Sequence, residues 1–190
     1  MIITIARQFG CGALAIGKRL AADYDIPFYT RKSLQEMARE KGVLDEMDDF
    51  FEERPVDELL FALSTLGEEV GPRHWRALDI LTDMIGQRDC VIIGRCGNYI
   101  FRQRKDLVSV FLKGREADRV AIVAAERHIS AEEAARLTRE MDDSRVRYHK
   151  YYTHLRWGDS SDYDLCFDSV RLGTDKSVAL IERYIEGIGL

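Results

Sequence analysis

The chain has 190 residues, of which 46% are hydrophobic and 32% are charged, as expected for one folded domain with a sizeable core. Its net charge of −5 gives no general attraction for nucleic acid, so an anionic ligand must be held by local positive charge. No apolar run approaches the roughly 18 residues of a membrane span. The four cysteines form neither a C-x-x-C pair nor a Cys/His metal-ligand spacing, which favours reduced thiols in a cytoplasmic protein.

Short apolar runs alternate with helical patterns along the chain. The predicted strands are IITIA (2–6), IPFY (26–29), CVIIG (90–94), LVSVFL (107–112) and YDLCF (163–167). The predicted helices cover residues 12–24, 72–87, 131–156 and about 175–187. The third follows Ser130, with Glu133 three residues on, which is a capping-box pattern. Short apolar strands separated by helices indicate a parallel sheet that helices cover on both faces.

Residues 43–69 have a different character from the rest of the chain. The segment is strongly acidic, above all over residues 45–58, and it is interrupted by Pro55. It is typical of one or two amphipathic helices outside the sheet. A solvated acidic face and a lid or partner surface both remain open for it.

The first strand leads directly into a glycine-containing loop and a helix, ARQFGCGALA (6–15). Glycine allows backbone amides to approach an anion closely, and a helix N-terminus adds roughly half a positive charge. Both effects depend on the main chain, so the loop could hold phosphate without a lysine. A tight strand–helix turn that binds nothing is the alternative.

Two phosphate-binding templates can be compared with this loop. Gly10, Gly12 and Ala15 satisfy the dinucleotide pattern G-x-G-x-x-G/A, but three residues separate the strand from the first glycine. In the P-loop pattern G-x-x-x-x-G-K-[ST], aligned on Gly12, the loop length fits, although Ala13 and Leu14 replace the lysine and the hydroxyl residue. Lys18 is predicted to point to solvent. Arg7 is therefore the nearest candidate for charge on the phosphates.

Three blocks resemble one known family in sequence and in the register between them. They are ITIARQFGCG, CVIIGRCGNYIF and MDDSRVRYHKYYTHLRWGDSSDYDL. They resemble the cytidylate kinase-like family, which are P-loop proteins related to nucleoside monophosphate kinases. The resemblance covers nearly the whole chain and is weakest over residues 43–75.

The resemblance implies an α/β, P-loop NTPase-like three-layer fold, with a five-stranded parallel sheet flanked by helices. Residues 1–190 would form one kinase-like domain with a helical acceptor-side insert at about 31–70 and a lid at about 114–145. The implied reaction transfers the γ-phosphoryl group of ATP, with Mg²⁺, to CMP, dCMP or a similar acceptor. Nucleotides would then be the partners, without nucleic acid or membrane.

The resemblance also implies roles for individual residues. The ATP phosphates would be held by Arg7 and by the main chain of Gly10, Cys11, Gly12, Ala13 and Leu14. The acceptor would be held by Arg95, with Asn98 beside it. Three arginines would close over the transferring group, namely Arg115, Arg119 and Arg145. Asp142 would orient an arginine or a metal-bound water.

The chain departs from the family pattern where Leu14 and Ala15 replace an arginine and an acid, and where Ile122 replaces a lid arginine. These departures keep open a nucleotide-binding pseudokinase that acts as a sensor or partner-binding module. A P-loop kinase of another small molecule is a third possibility.

Some of the assigned residues also have simpler structural interpretations. Arg95 could cap a helix or form an ion pair, and Asp142 with Arg145 could be an i,i+3 helix pair. The aromatic residues of the third block could stack on a base or could belong to the core. These residues are Tyr148, Tyr151, Tyr152 and Trp157.

Overall fold

The computed structural model describes residues 1–51 and 73–190. Its strands are β1 (Ile2–Arg7), β2 (Phe28–Tyr29), β3 (Cys90–Ile93), β4 (Leu107–Lys113) and β5 (Leu165–Asp168). Its α-helices are α1 (Ala13–Asp23), α2 (Arg31–Glu40), α3 (Asp48–Phe51), α4 (Arg73–Ile85), α5 (Gly97–Ile100), α6 (Glu116–Arg127), α7 (Ala131–Thr153) and α8 (Ser169–Ile188). Short 3₁₀ helices span Leu44–Glu46 and Ser160–Asp162.

The five strands form one parallel sheet in the order β2-β3-β1-β4-β5, which confirms the predicted sheet. Strand β1 lies at its centre and pairs with β3 and β4. Because parallel strands end at the same edge, the loops after β1, β3 and β4 meet there. This is the edge at which open α/β sheets bind ligands.

Hydrophobic cores on both faces of the sheet give the predicted three layers. Along β1, Ile3 and Ile5 face α1 and α8, whereas Ile2 faces the side that carries α2, α3, α4 and α7. Burial of β1 on both faces explains why its sequence lacks the regular apolar–polar alternation of a half-exposed strand.

The observed ends of several elements differ from the predicted ones. Strand β2 is shorter than 26–29 because Pro27 has no N–H to donate and only its carbonyl pairs with β3. Helix α7 has the predicted Ser130–Glu133 capping box but ends at Thr153, because His154 adopts a left-handed conformation. Helix α8 begins at Ser169 rather than near 175, with a break at Gly173, so the prediction found only the part after the break.

The predicted helix at 72–87 is present as α4, while its first residue, Pro72, lies outside the described residues, as does 52–69 of the acidic segment. The described part of that segment forms the first 3₁₀ helix and α3, where Phe50 and Phe51 are buried. These two rings join the core, so this part is more than a solvated face. Nowhere in residues 1–51 or 73–190 is a helix long and apolar enough to cross a bilayer.

Candidate active site

The loop after β1 combines two glycines of positive φ with the N-terminus of α1. Gly10 and Gly12 have φ angles of +83° and +68°, and α1 begins at the next residue. A Cβ atom on Gly10 would lie 3.1 Å from the carbonyl oxygen of Arg119, so glycine is needed there for space as well as for backbone freedom. The loop lines an open cleft of about 330 Å³ at the N-terminus of α1.

The side chains of the first helical turn bring no charge to this cleft. Ala13 is buried, and Leu14 is 58% exposed although it is a large apolar residue. Lys18 is exposed, as predicted. Positive charge at the cleft therefore comes from other parts of the chain.

Arg7 and Arg145 line both this cleft and a smaller cavity of about 30 Å³ on the other side of the β1 end. The Arg7 guanidinium lies so close to Gly94 that a Cβ atom there would be 2.5 Å from Nη1. Arg145 is 8% exposed, and its Nη1 donates to the carbonyl of Arg7 at 3.2 Å. The predicted position of Arg145, bordering the buried face and reaching a cleft, is what the structure contains.

Asp142, on α7, connects the glycine loop to α6. Its Oδ1 accepts from the backbone N–H of Phe9 at 2.7 Å, and its Oδ2 accepts from Nη1 of Arg119 at 2.7 Å. The same Nη1 donates to the carbonyl of Phe9 at 3.0 Å, so the two side chains hold Phe9 at both of its backbone groups. Arg145 Nη1 lies 3.6 Å from Oδ1. Asp142 therefore pairs with Arg119 and with Arg145, and the second contact is the i,i+3 pair.

The three predicted lid arginines occupy different environments. Arg115 is exposed where α6 begins, whereas Arg119 is buried and bound to the loop backbone. Arg145 alone of these three is among the residues that line the cleft described above. Arg119 in this structure positions the glycine loop.

A further arginine at the cleft was missed in the sequence. Arg127, in the last turn of α6, lines the cleft and is exposed. Its Cζ lies 5.4 Å from the centroid of the Phe9 ring, and Cζ of Arg145 lies 5.5 Å from the same centroid. Arg119, Val123 and Arg127 follow each other at four-residue intervals, so helical spacing would have placed Arg127 near the loop.

Arg95 is a buried arginine at the end of β3, with 4% of its surface exposed. Its Nη1 donates to the carbonyls of Phe50 and Phe51 at 2.6 and 3.3 Å, and its Cζ lies 4.8 Å from the ring centroid of Tyr148. It therefore caps the last carbonyls of α3, which was the structural alternative for it. Arg95 also lines the small cavity, as does buried Asn98.

The aromatic residues of the third block belong mainly to the core. Tyr148 and Tyr152 are buried, with ring centroids 5.9 and 5.2 Å from that of Phe50. The ring of Trp157 packs edge-on against Phe111. These contacts favour the core interpretation over base stacking.

Cys11 lies in the middle of the glycine loop but cannot act as a nucleophile at neutral pH. Its side chain is buried, and burial raises the pKa of the thiol to about 11. The thiolate, which is the reactive form, is therefore scarce near pH 7.

We expect Cys11 in the native protein to resist iodoacetamide at pH 8. Because its pKa is raised, the thiolate fraction should be on the order of one in a thousand at that pH. Peptide mass spectrometry after timed alkylation measures this, with half-buried Cys166 as the internal comparison and the urea-unfolded chain as the positive control. Alkylation of Cys11 as fast in the native as in the unfolded protein would contradict the assignment.

Among the residues described, no group of three or more His, Cys, Asp or Glu side chains could hold a metal ion. A P-loop has a hydroxyl residue that binds Mg²⁺, and Leu14 replaces it here. Asp142 is not a ready ligand either, because both of its oxygens already accept hydrogen bonds. Mg²⁺ normally keeps several waters and binds through substrate phosphates with few protein ligands. The chain is compatible with Mg²⁺ bound in that way, as a partner of the nucleotide.

The sheet order, the glycine loop that opens α1 and the cleft at the carboxyl edge together define a P-loop kinase-like fold. The sequence model of the cytidylate kinase-like family matches residues 2–171, and the chain belongs to this family. This membership supports an enzyme of the kinase class.

One sequence relative agrees with that membership, and two solved structures agree with the fold. The chain is 26% identical to a cytidylate kinase from Methanopyrus kandleri, over 98% of this chain and 93% of the relative. Among solved structures, it is similar to an uncharacterized protein from Eubacterium ventriosum ATCC 27560, with a TM-score of 0.75, 24% identity and 98% coverage of both chains. A shikimate kinase from Bacteroides thetaiotaomicron shares the fold, with a TM-score of 0.54, 13% identity and coverage of 100% of this chain and 99% of the other.

Proposed function

We propose that this protein transfers the γ-phosphoryl group of ATP to a nucleoside monophosphate, with CMP and dCMP as the first acceptors to test. The observation that carries the proposal is that Arg7 and Arg145 line both the phosphate-loop cleft and the adjoining cavity. Two guanidinium groups are thus available to a phosphoryl group that moves from one space to the other. Phosphoryl transfer needs mainly positioning and positive charge of this kind.

On the donor side, the main chain of residues 10–14 holds the ATP phosphates at the N-terminus of α1, where the helix dipole favours negative charge. Arg7 supplies charge in place of the missing lysine. Mg²⁺ bound together with the nucleotide would supply positive charge to its phosphates, and the chain would contribute few ligands to it. Asp142 and Arg119 keep the loop in place through Phe9.

On the acceptor side, Arg95 and Asn98 line the small cavity. Arg7 and Arg145 line this cavity and also the donor cleft. A phosphate oxygen of the acceptor attacks the γ-phosphorus, the bond to the β–γ bridging oxygen breaks, and its electron pair leaves with ADP. The attacking oxygen of a phosphate is already ionised near neutral pH, so this step needs no general base. A reaction without a general base suits this cavity, because the charged residues that line it, within the described part of the chain, are three arginines.

The test is an acceptor screen with ATP and Mg²⁺, in which CMP, dCMP, other nucleoside monophosphates, gluconate and shikimate are compared by product chromatography. ADP and CDP formed together from ATP and CMP support the proposal. Turnover confined to a sugar or cyclic acid would replace it with a kinase of another small molecule.

The second candidate is a nucleotide-binding pseudokinase, which is favoured by one observation at the donor cleft. Leu14 presents an exposed apolar side chain where the family pattern has an arginine. Under this alternative, calorimetry detects tight ATP binding, whereas no acceptor in the screen is phosphorylated.

Replacing Arg127 with alanine is expected to raise the KM for ATP by about tenfold, because a charged hydrogen bond to a ligand is worth about 1.5 to 3 kcal/mol. Arg127 is exposed at the donor cleft, so the change should leave the fold intact. Initial rates against ATP at saturating acceptor measure the effect. Arg136→Ala is the matched control, since Arg136 is exposed on α7 and pairs with Glu140. An ATP KM equal to that of the control would remove Arg127 from the donor site.

A further inference from the structure

The small cavity beside the end of β1 has an unusual lining. The residues around it are Thr4, Ala6, Arg7, Gly94, Arg95, Cys96, Gly97, Asn98, Arg145, Tyr148, His149 and Trp157. Those that carry a charge are arginines from three separate parts of the chain, and no aspartate or glutamate is among the described lining residues. The cavity is therefore suited to an anion. Its volume of about 30 Å³ has room for small groups the size of a water molecule, which is also the size of phosphate oxygens.

Two residues of the same lining each carry a buried neutral polar atom that has no hydrogen-bond partner within the described part of the chain. These atoms are Oγ1 of Thr4, in the middle of β1, and Nε2 of His149, on α7. Thr4 is 2% exposed and His149 is 3% exposed, so bulk solvent does not reach either side chain. Buried polar groups in folded proteins are nearly always paired, and an unpaired one needs an explanation. Two on the same small cavity point to a ligand that bonds to both.

The protonation state of His149 fits an anionic ligand of this kind. Burial lowers the pKa of its imidazole to about 4, so the ring is neutral at pH 7. The charged and titratable groups that line the cavity with it are Arg7 from β1, Arg95 and Cys96 after β3, and Arg145 and Tyr148 from α7 itself. A neutral imidazole has one N–H and one lone pair, and an oxyanion selects the tautomer in which Nε2 carries the proton. The hydroxyl of Thr4 can donate to the same anion.

We infer that Thr4 and His149 contact the phosphoryl acceptor, donating hydrogen bonds to the oxygens of its phosphate group within the arginine-lined cavity. This inference rests on the proposed function and adds two acceptor-contacting residues to it. The phosphate oxygens enter the cavity, and the remainder of the acceptor stays outside, because the space is too small for a nucleoside. His149 moves no proton in the reaction, since the acceptor oxygen is already ionised.

The first test separates binding of the acceptor from binding of ATP. His149→Phe keeps a planar ring but removes the N–H, so the acceptor KM for CMP should rise about tenfold or more while the ATP KM is unchanged. His149→Gln should recover most of the loss, because its amide N–H reaches to about the position of Nε2. Thr4→Val removes the hydroxyl but keeps nearly the same shape, and it should also raise the acceptor KM. Arg147→Gln, an exposed change on the same helix, is the control.

A purely structural role predicts a different pattern. If the cavity holds only a bound water, His149→Phe changes the melting temperature and leaves the acceptor KM at the value of the control. That result would overturn the inference and leave the proposed function standing. An equal rise in the ATP KM and the acceptor KM would also overturn the inference, because the substitution would then weaken binding of both substrates and not of the acceptor in particular.

The second test does not depend on turnover. Long-range ¹H–¹⁵N spectra of the imidazoles, with the His149 signals assigned by their loss in His149→Gln, should show the Nε2–H tautomer shifting when CMP is added without ATP. A shift in a protein that phosphorylates no acceptor would support the contact and contradict only the enzymatic proposal. No shift at saturating CMP in an active enzyme would overturn the contact alone.

Discussion

Replacing Arg7 with alanine is expected to lower kcat for phosphoryl transfer by about 10³-fold, the lower end of the range for an arginine that stabilises a transferring phosphoryl group. Arg7 lines both the phosphate-loop cleft and the small cavity, and its guanidinium packs against Gly94. Since β1 pairs through its backbone, the strand should survive the change. Steady-state rates with ATP and the best acceptor measure the effect, and thermal unfolding checks the fold.

Two comparisons make the Arg7 prediction specific. Arg19→Ala removes an exposed arginine of α1 that pairs with Asp23, and it should retain full activity. Arg7→Lys keeps the charge but not the planar fork, so its kcat should fall between those of the wild type and Arg7→Ala. A kcat for Arg7→Ala within threefold of that of Arg19→Ala would exclude Arg7 from the reaction.

Replacing Asp142 with alanine is expected to reduce both stability and turnover. The change leaves the buried guanidinium groups of Arg119 and Arg145 without their shared carboxylate, and breaking a buried ion pair costs about 3 to 5 kcal/mol. It also releases the N–H of Phe9, and displacement of the glycine loop by about 1 Å can lower the rate about 100-fold. Urea unfolding and kcat measure the two effects separately.

The neighbouring Asp143 provides a matched control for Asp142, since it lies one residue further on the same helix and is exposed. Asp143→Ala should change the free energy of unfolding by less than about 0.5 kcal/mol. Asp142→Asn retains one acceptor oxygen and should lie between the wild type and Asp142→Ala. Equal unfolding midpoints for Asp142→Ala and Asp143→Ala would show that the Asp142 carboxylate does not hold the glycine loop and α6 together.

The sheet was predictable because it depends on local patterns. Each strand is a short apolar run, and β1, buried on both faces, keeps no polar alternation that would suggest an antiparallel partner. The Ser130–Glu133 capping box is likewise contained within four residues, and the structure has it. Errors occurred where a single backbone angle ended or broke an element, as at His154 and Gly173, because such angles leave little trace in hydrophobic periodicity.

The candidate site was predictable only in part. The glycine loop and Arg95 follow directly on strand ends, and sheet topology brings strand ends together. Arg127 and His149 lie far along the chain from that loop, and the sequence connects them to the site only indirectly, through four-residue helical spacing from Arg119 and Arg145. Their place at the site is established only when helices α6 and α7 pack against the sheet edge.

The amino-acid pattern alone was enough to establish the parallel sheet, the glycine loop before the first long helix and the family resemblance, because each depends on contiguous residues or on their order. Packing alone decided what each arginine does: Arg119 binds the loop backbone, Arg95 caps α3, and Arg7 and Arg145 line both spaces. The physical reason is that a guanidinium is long and has five donors, so its role is set by whichever carbonyls and carboxylates the fold places within its reach.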